Sequence, residues 1–203
     1  MSRYFLQCST LGGVILLPTA LLFSTLAAQT TGWPVQKMHV PSSSLQRLPP
    51  AQRATIMKLL RPELGPLFQG EAASVADQAI RDFRAEPLNL SGISAVAVMS
   101  EGTQLCSGTG NCSFWILDPV HRRVLLRVGG VQGFAVDQPK PHSTPDVFTG
   151  THVSSTESEL IRWRFQADHF EPESCATVDS ADENGAELKE PKINAHPCSA
   201  EGN

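Results

Sequence analysis

Two cysteines, Cys106 and Cys112, stand six positions apart around a Ser-Gly-Thr-Gly-Asn tip and run straight into Ser113-Phe114-Trp115-Ile116-Leu117. A bridge between sulfurs that close in sequence requires the chain to double back, and Gly108 and Gly110 supply the turning freedom. The aromatic and branched residues that follow favour an extended backbone. The spacing therefore predicts a small disulfide-closed loop feeding a β-strand, in a compartment where thiols oxidise. Closing so short a loop is worth about 2 to 2.5 kcal/mol through the entropy removed from the unfolded chain. A zinc reading of the same cysteines fails on spacing, because structural zinc sites need a second close pair or a suitably spaced histidine pair.

The N-terminus supports the same compartment. Arg3 gives one positive charge, Leu11 to Leu26 is apolar apart from Gly, Thr, Ser and Pro18, and Ala27-Ala28 offers small residues for cleavage. Residues 1–28 read as a secretory signal peptide. Pro18, Thr19, Ser24 and Thr25 leave the run short of the roughly 20 apolar residues that a membrane span needs, so no stable span is expected after cleavage. Cys8 precedes the apolar run and is lost with it, leaving Cys106, Cys112, Cys175 and Cys198. The short loop favours the first two as partners, and Cys175 with Cys198 follows only by default.

The formal charge is −4, and no Lys/Arg cluster interrupts the mildly acidic composition. Nucleic acid and anionic membrane surfaces are poor partners for such a chain. The Pro/Ser/Thr-rich stretch 29–47 reads as a flexible tether. Residues 48–178 read as one α+β domain, with a helical lead-in over 48–86 and a β-rich part over 87–178. Pro49-Pro50-Ala51 opens a helix carrying Ile56, Leu59 and Leu60 on one side, stopped by Pro62 and Gly65-Pro66. A second starts near Glu71, carries Val75, Ala79, Ile80 and Phe83, and stops at Glu86-Pro87. Short β-like runs follow at 93–99, 114–117, 123–128, 133–136, 146–148 and 160–165. Asp118-Pro119 with His121-Arg122 marks one hairpin turn and Gly129-Gly130 another. Connections this short join antiparallel neighbours, which predicts a small antiparallel sheet or compact sandwich preceded by one or two short helices. The acidic stretch 179–203 lacks the apolar residues to offset its ordering entropy and reads as a disordered tail.

No catalytic signature survives inspection. Gly108-Thr109-Gly110 lacks the strand-then-helix setting of a dinucleotide cradle, and no G-x-S-x-G elbow is present. His142, Asp146 and His152 are of metal-ligand type and define a weaker alternative, a metal-assisted hydrolase, although their spacing matches no helical pair. Trp163 and Phe165 share one strand face with Arg162 and Arg164 on the other, the pattern of a sheet covered on one side. Asn89-Leu90-Ser91 and Asn111-Cys112-Ser113 are formal glycosylation sequons. No cofactor is expected.

The cysteine loop and its strand, followed by Asp146-Val147, by Leu160-Ile161-Arg162-Trp163-Arg164-Phe165 and by Cys175, resemble a group of exported bacterial proteins of uncharacterised function. That group carries a C-G-x-x-x-N-C-x-x-W loop and strand and a later Tyr-Arg-Phe-Asp-Gly-like strand with a final cysteine. Its members often carry an acidic FG-GAP-like calcium loop before the first strand. Here that stretch is Leu88-Asn89-Leu90-Ser91-Gly92-Ile93-Ser94, which has no carboxylate to hold calcium. The resemblance covers about 88–175 and implies a fold and an export route, with no activity. The expected role is a non-enzymatic binding or accessory module contacting an unknown protein or envelope component. One form of it is an inhibitor of a secreted hydrolase that presents Gly108, Thr109 and Asn111 from a rigid loop.

Overall fold

A computed structural model describes residues 32–198 apart from Gln104 and residues 139–142. The leader expected over residues 1–28 lies outside them. In chain order the elements are β1 (Ser43–Ser44), α1 (Pro50–Leu64), α2 (Ala73–Arg81), β2 (Arg84–Leu90), β3 (Ile93–Met99), β4 (Cys112–Asp118) and β5 (Arg123–Val131). They continue with β6 (Gly133–Val136), β7 (Val147–His152), β8 (Glu157–Gln166), β9 (His169–Ala181) and β10 (Glu187–His196). Two antiparallel five-stranded sheets result, ordered β1-β2-β3-β4-β5 and β10-β9-β8-β7-β6. The α+β, β-rich class expected from the sequence is the observed one.

The layers are helices, first sheet, second sheet, and the side chains show why. Along β3 and β4, Val96, Val98, Trp115 and Leu117 pack with Ile56, Leu60, Leu64, Ile80 and Phe83 on the helical side. Their neighbours Ala95, Ala97, Met99, Phe114 and Ile116 pack with Phe134, Val147, Trp163 and Phe170 of the second sheet. Alternate residues of a strand face opposite sides, so burying both sides demands the unbroken apolar runs seen in β3 and β4.

In α1, Pro50 occupies the first turn, where its missing N–H costs nothing, and Ile56, Leu60 and Leu64 recur at one-turn spacing on the buried stripe. Pro62 does not end this helix as expected. It sits within the last turn, and the chain leaves through a short 3-10 turn over Gly65–Phe68. Arg61 and Asp77 join α1 to α2 through paired hydrogen bonds of 2.7 and 2.8 Å. The guanidinium holds the Asp77 carboxyl below its ordinary range.

Three further expectations are corrected. Glu86-Pro87 does not stop a helix but lies in β2, where Pro87 pairs with Val96. The two residues of β1 cover only Arg84 and Ala85, so Pro87 is on a stretch of strand with no second neighbour to miss its N–H. Gly129-Gly130 is not a hairpin turn. β5 runs through both glycines, Gly130 takes a left-handed φ of +73°, and after Gln132 the chain enters β6 in the other sheet. The glycines thus mark the crossing from one sheet to the other. The stretch 29–47 is not a free tether from residue 33 onward. His39 pairs by backbone with Phe134 of β6, and Ser43–Ser44 pair with β2, so one segment stitches an edge of each sheet. Glu86 reinforces it by accepting from Ser42 N at 3.3 Å and facing His39 Nε2 at 3.3 Å.

The acidic segment also differs from expectation. Residues 179–181 complete β9, and β10 pairs with it from Lys192↔Asp179 to His196↔Cys175. The Cys175–Cys198 disulfide locks that pairing. Pairing to an existing sheet satisfies the backbone without requiring apolar side chains, a gain the composition does not reveal. At the β4–β5 turn, Asp118 is fully buried and accepts from Val120 N, His121 N, the His121 ring and Arg123 Nε. Burial pushes its carboxyl up, but those donors together outweigh burial and hold it below the ordinary range.

Candidate functional site

The sequence-derived loop is built as a braced turn. Cys106 and Cys112 are bonded and face each other as an antiparallel pair. Inside them Ser107 N donates to Asn111 O at 2.7 Å, and Gly110 N donates to Ser107 O at 2.9 Å. The Ser107 and Thr109 hydroxyls are 2.7 Å apart. Gly110 has φ +82°, a conformation that other residues adopt only under strain. Ser107, Gly108, Thr109 and Gly110 are all exposed.

Below the tip, Asn111 does something its sequence position does not announce. Its side-chain Nδ2 donates to His152 O at 2.9 Å, and His152 N donates to its Oδ1 at 3.0 Å. The amide thus imitates one residue of a neighbouring strand and clasps the loop of the first sheet to the end of β7 in the second. Both amide atoms are used, so Asn111 holds the tip in place and is not itself a free contact residue. The clasp also occupies the nitrogen that the second glycosylation sequon would modify. Ser100 completes the base: its Oγ donates to Leu105 O at 3.2 Å and accepts from Ser113 N at 2.9 Å. Sequence reasoning missed Ser100, whose only signal is a hydroxyl directly after the apolar run Ala95–Met99.

His152 continues the site onto the outer face of the second sheet. Its Nδ1 lies 3.0 Å from Gln132 Oε1. Beside it runs a trench of about 450 Å³, with Met38, His39, Ser158, Leu160 and Ser180 among its walls, and none of the described residues lining it is Asp, Glu, Lys or Arg. Gly150 forms part of the floor because a Cβ there would stand 3.1 Å from both Leu160 Cδ2 and Met38 Cε.

The metal alternative is not assembled. His142 lies outside the described residues. Asp146 precedes β7 and His152 ends it, which places them about 20 Å apart at the rise of an extended strand. Asp146 is buried between two arginines: Arg162 Nε donates to its Oδ2 at 2.8 Å, with a second bond from Arg162 Nη2, and Arg164 Nε stands 3.5 Å from its Oδ1. Both arginines also meet Glu173. A carboxylate neutralised this way is a structural ion pair, and a cation would have to displace two guanidiniums to use it. Among the described residues no three His, Cys, Asp or Glu side chains gather in a metal-binding group. Trp163 is buried as expected for core, its indole donating to Thr149 Oγ1 at 2.8 Å.

Together the loop, clasp and trench present an exposed, pre-ordered backbone turn beside a shallow channel with no Asp, Glu, Lys or Arg among its described lining residues. Comparison with protein-family models, with curated proteins and with solved structures finds no match, so the resemblance of the cysteine loop to exported proteins rests on those residues alone.

Proposed function

We propose that this chain is an exported, non-enzymatic binding module of the bacterial envelope or the extracellular space, and that the tip Ser107–Gly110 is its contact element for a partner protein. The observation that carries the reading is the double fastening of the tip. A disulfide closes it and the Asn111–His152 clasp ties it to the opposite sheet, leaving four exposed residues whose ordering entropy is already spent. A loop of this kind suits insertion into a cleft, and a secreted hydrolase is the partner class it fits best. Two disulfides in one chain support maturation in an oxidising compartment.

The test is capture of partners by the mature, oxidised chain from envelope and culture-fluid fractions, followed by affinity measurement. Ser107→Ala with Thr109→Ala is expected to weaken the dominant partner about tenfold, the loss of roughly one well-placed hydrogen bond at an interface. Unchanged affinity for every partner would leave the loop a structural element only. Recovery of the protein from cytosol with free thiols at Cys106 and Cys112 would overturn the export reading.

A further inference from the structure

β5 is an edge strand of the first sheet, with β4 on one side only. Which of its backbone groups face outward follows from β4. Ser113 uses its carbonyl and its N–H on the β3 side, accepting from Ser100 N at 2.8 Å and donating to Leu105 O at 3.3 Å. Because antiparallel residues alternate in bonding direction, Phe114 and Ile116 bond toward β5, through their partners Val128 and Leu126. Arg127, between them, therefore aims its N–H and C=O away from the sheet, while the β5 register shifts at Leu125 on one side of it and between Val128 and Val131 on the other. Unpaired edges of apolar strands are templates for another strand, and proteins normally cover or blunt them. Here the β2 and β6 edges are stitched by residues 39–44, whereas no strand of the described chain pairs with β5 on that side.

The β5 edge lies in a groove of about 1240 Å³, whose opposite wall includes Asp168, His169, Glu171 and Pro172 around the β8–β9 turn. Its charged groups are engaged with one another: Arg127 with Glu63 at 3.2 Å, Arg123 with Asp118 at 3.1 Å, and His169 with Asp168 and Glu171 at 2.8 and 3.2 Å. The unsatisfied groups are neutral. They are the outward β5 backbone groups, since the Trp115 indole Nε1, although it has no acceptor among the described residues, has essentially no accessible surface.

We propose that this groove receives an extended segment of a partner polypeptide, which adds to β5 as a sixth strand. A neutral backbone matches what the groove leaves unsatisfied, and the wall opposite β5 admits a single strand more readily than the β5 edge of a second copy, which arrives with a wall of its own. The site stands apart from the loop tip and does not depend on the role proposed for it.

The test selects a phage-displayed library of linear, cysteine-free nonapeptides against the oxidised chain, then measures an enriched peptide, with blocked termini, by fluorescence anisotropy. Arg127→Pro removes one outward N–H without touching a β4 bond and is expected to weaken binding about tenfold. Arg127→Ala, which keeps the N–H, and Thr109→Ala, at the loop tip, are expected to bind within about threefold of the parent. Independently of any variant, hydrogen exchange on the unaltered chain is expected to show the Arg127 amide gaining protection when peptide is added. The proposal is overturned if no peptide is enriched, if Arg127→Pro binds like the parent, if the Arg127 amide stays unprotected, or if concentration-dependent self-association already protects it without peptide.

Discussion

The two sheets follow the same antiparallel neighbour order, yet they are covered in different ways. The first has hydrocarbon on both faces, α1 and α2 on one side and the second sheet on the other. The second packs on the first with one face, while its other face mixes a narrow apolar strip of Phe148, Leu160 and Val178 with polar and charged groups. Its outer face carries the Asp146-Arg162-Arg164-Glu173 cluster, the neutral trench and Trp33 set edge-on to Phe148 at 5.8 Å. Stability and display are thereby divided: the first sheet is the foundation, and the second faces the surroundings. The cysteine loop belongs to the first sheet but is tied to the second, which gives an exposed element a rigid anchor on each.

If that division is right, truncations should differ sharply between the sheets. Phe114→Ala removes a fully buried ring between them and should cost about 3 to 5 kcal/mol by denaturant unfolding, whereas Phe165→Ala, half-buried toward the end of β8, should cost clearly less. Equal losses would erase the distinction. Replacing Cys175 and Cys198 together by serine should cost about 3 kcal/mol, from a loop of 23 residues, and hydrogen exchange should place the loosening in β9–β10 while β3 and β4 stay protected. Asn111→Ala leaves two His152 backbone groups without partners and should cost about 1 to 3 kcal/mol, with faster exchange at the His152 amide as its signature.

The smallest effects concern pH and sharpen the contrast between a buried and an exposed charge. The Asp118 carboxyl is depressed in the folded state, so its contribution is present above the ordinary carboxylate range near 4 and is lost as pH falls through the lower folded value. Asp118→Asn should flatten acid unfolding in that window. His169 is raised, chiefly by its hydrogen bond with Asp168, so its contribution is complete below about 6.5 and disappears as pH rises through the folded value. Fully exposed, that pair should shift the His169 titration in NMR upward with scarcely any change in unfolding midpoint.

The same contrast explains what the sequence made legible. Ala95 to Met99 of β3 and Phe114 to Leu117 of β4 were readable because burial on both faces leaves no polar residue to confuse the run. The Leu160 to Phe165 stretch was readable for the opposite reason, as a one-sided strand alternates. β10 was not, since Glu187 to His196 is held by ladder bonds and a disulfide across 23 residues rather than by its own side chains. The loop was legible as a closed turn from Cys106 and Cys112, but Asn111 as its anchor was not, because its partner His152 lies 41 residues on. Asp146 suggested a ligand only until Arg162 and Arg164 were found against it.

The stitch formed by His39 and Ser43–Ser44 bears on the order of assembly. These residues are made early, yet His39 must wait for Phe134, 95 positions later, before its backbone can bond. A chain that begins to fold as it is made would therefore leave the margins of both half-built layers exposed until most of its length had formed, and its final closure would be made by the residues that came first.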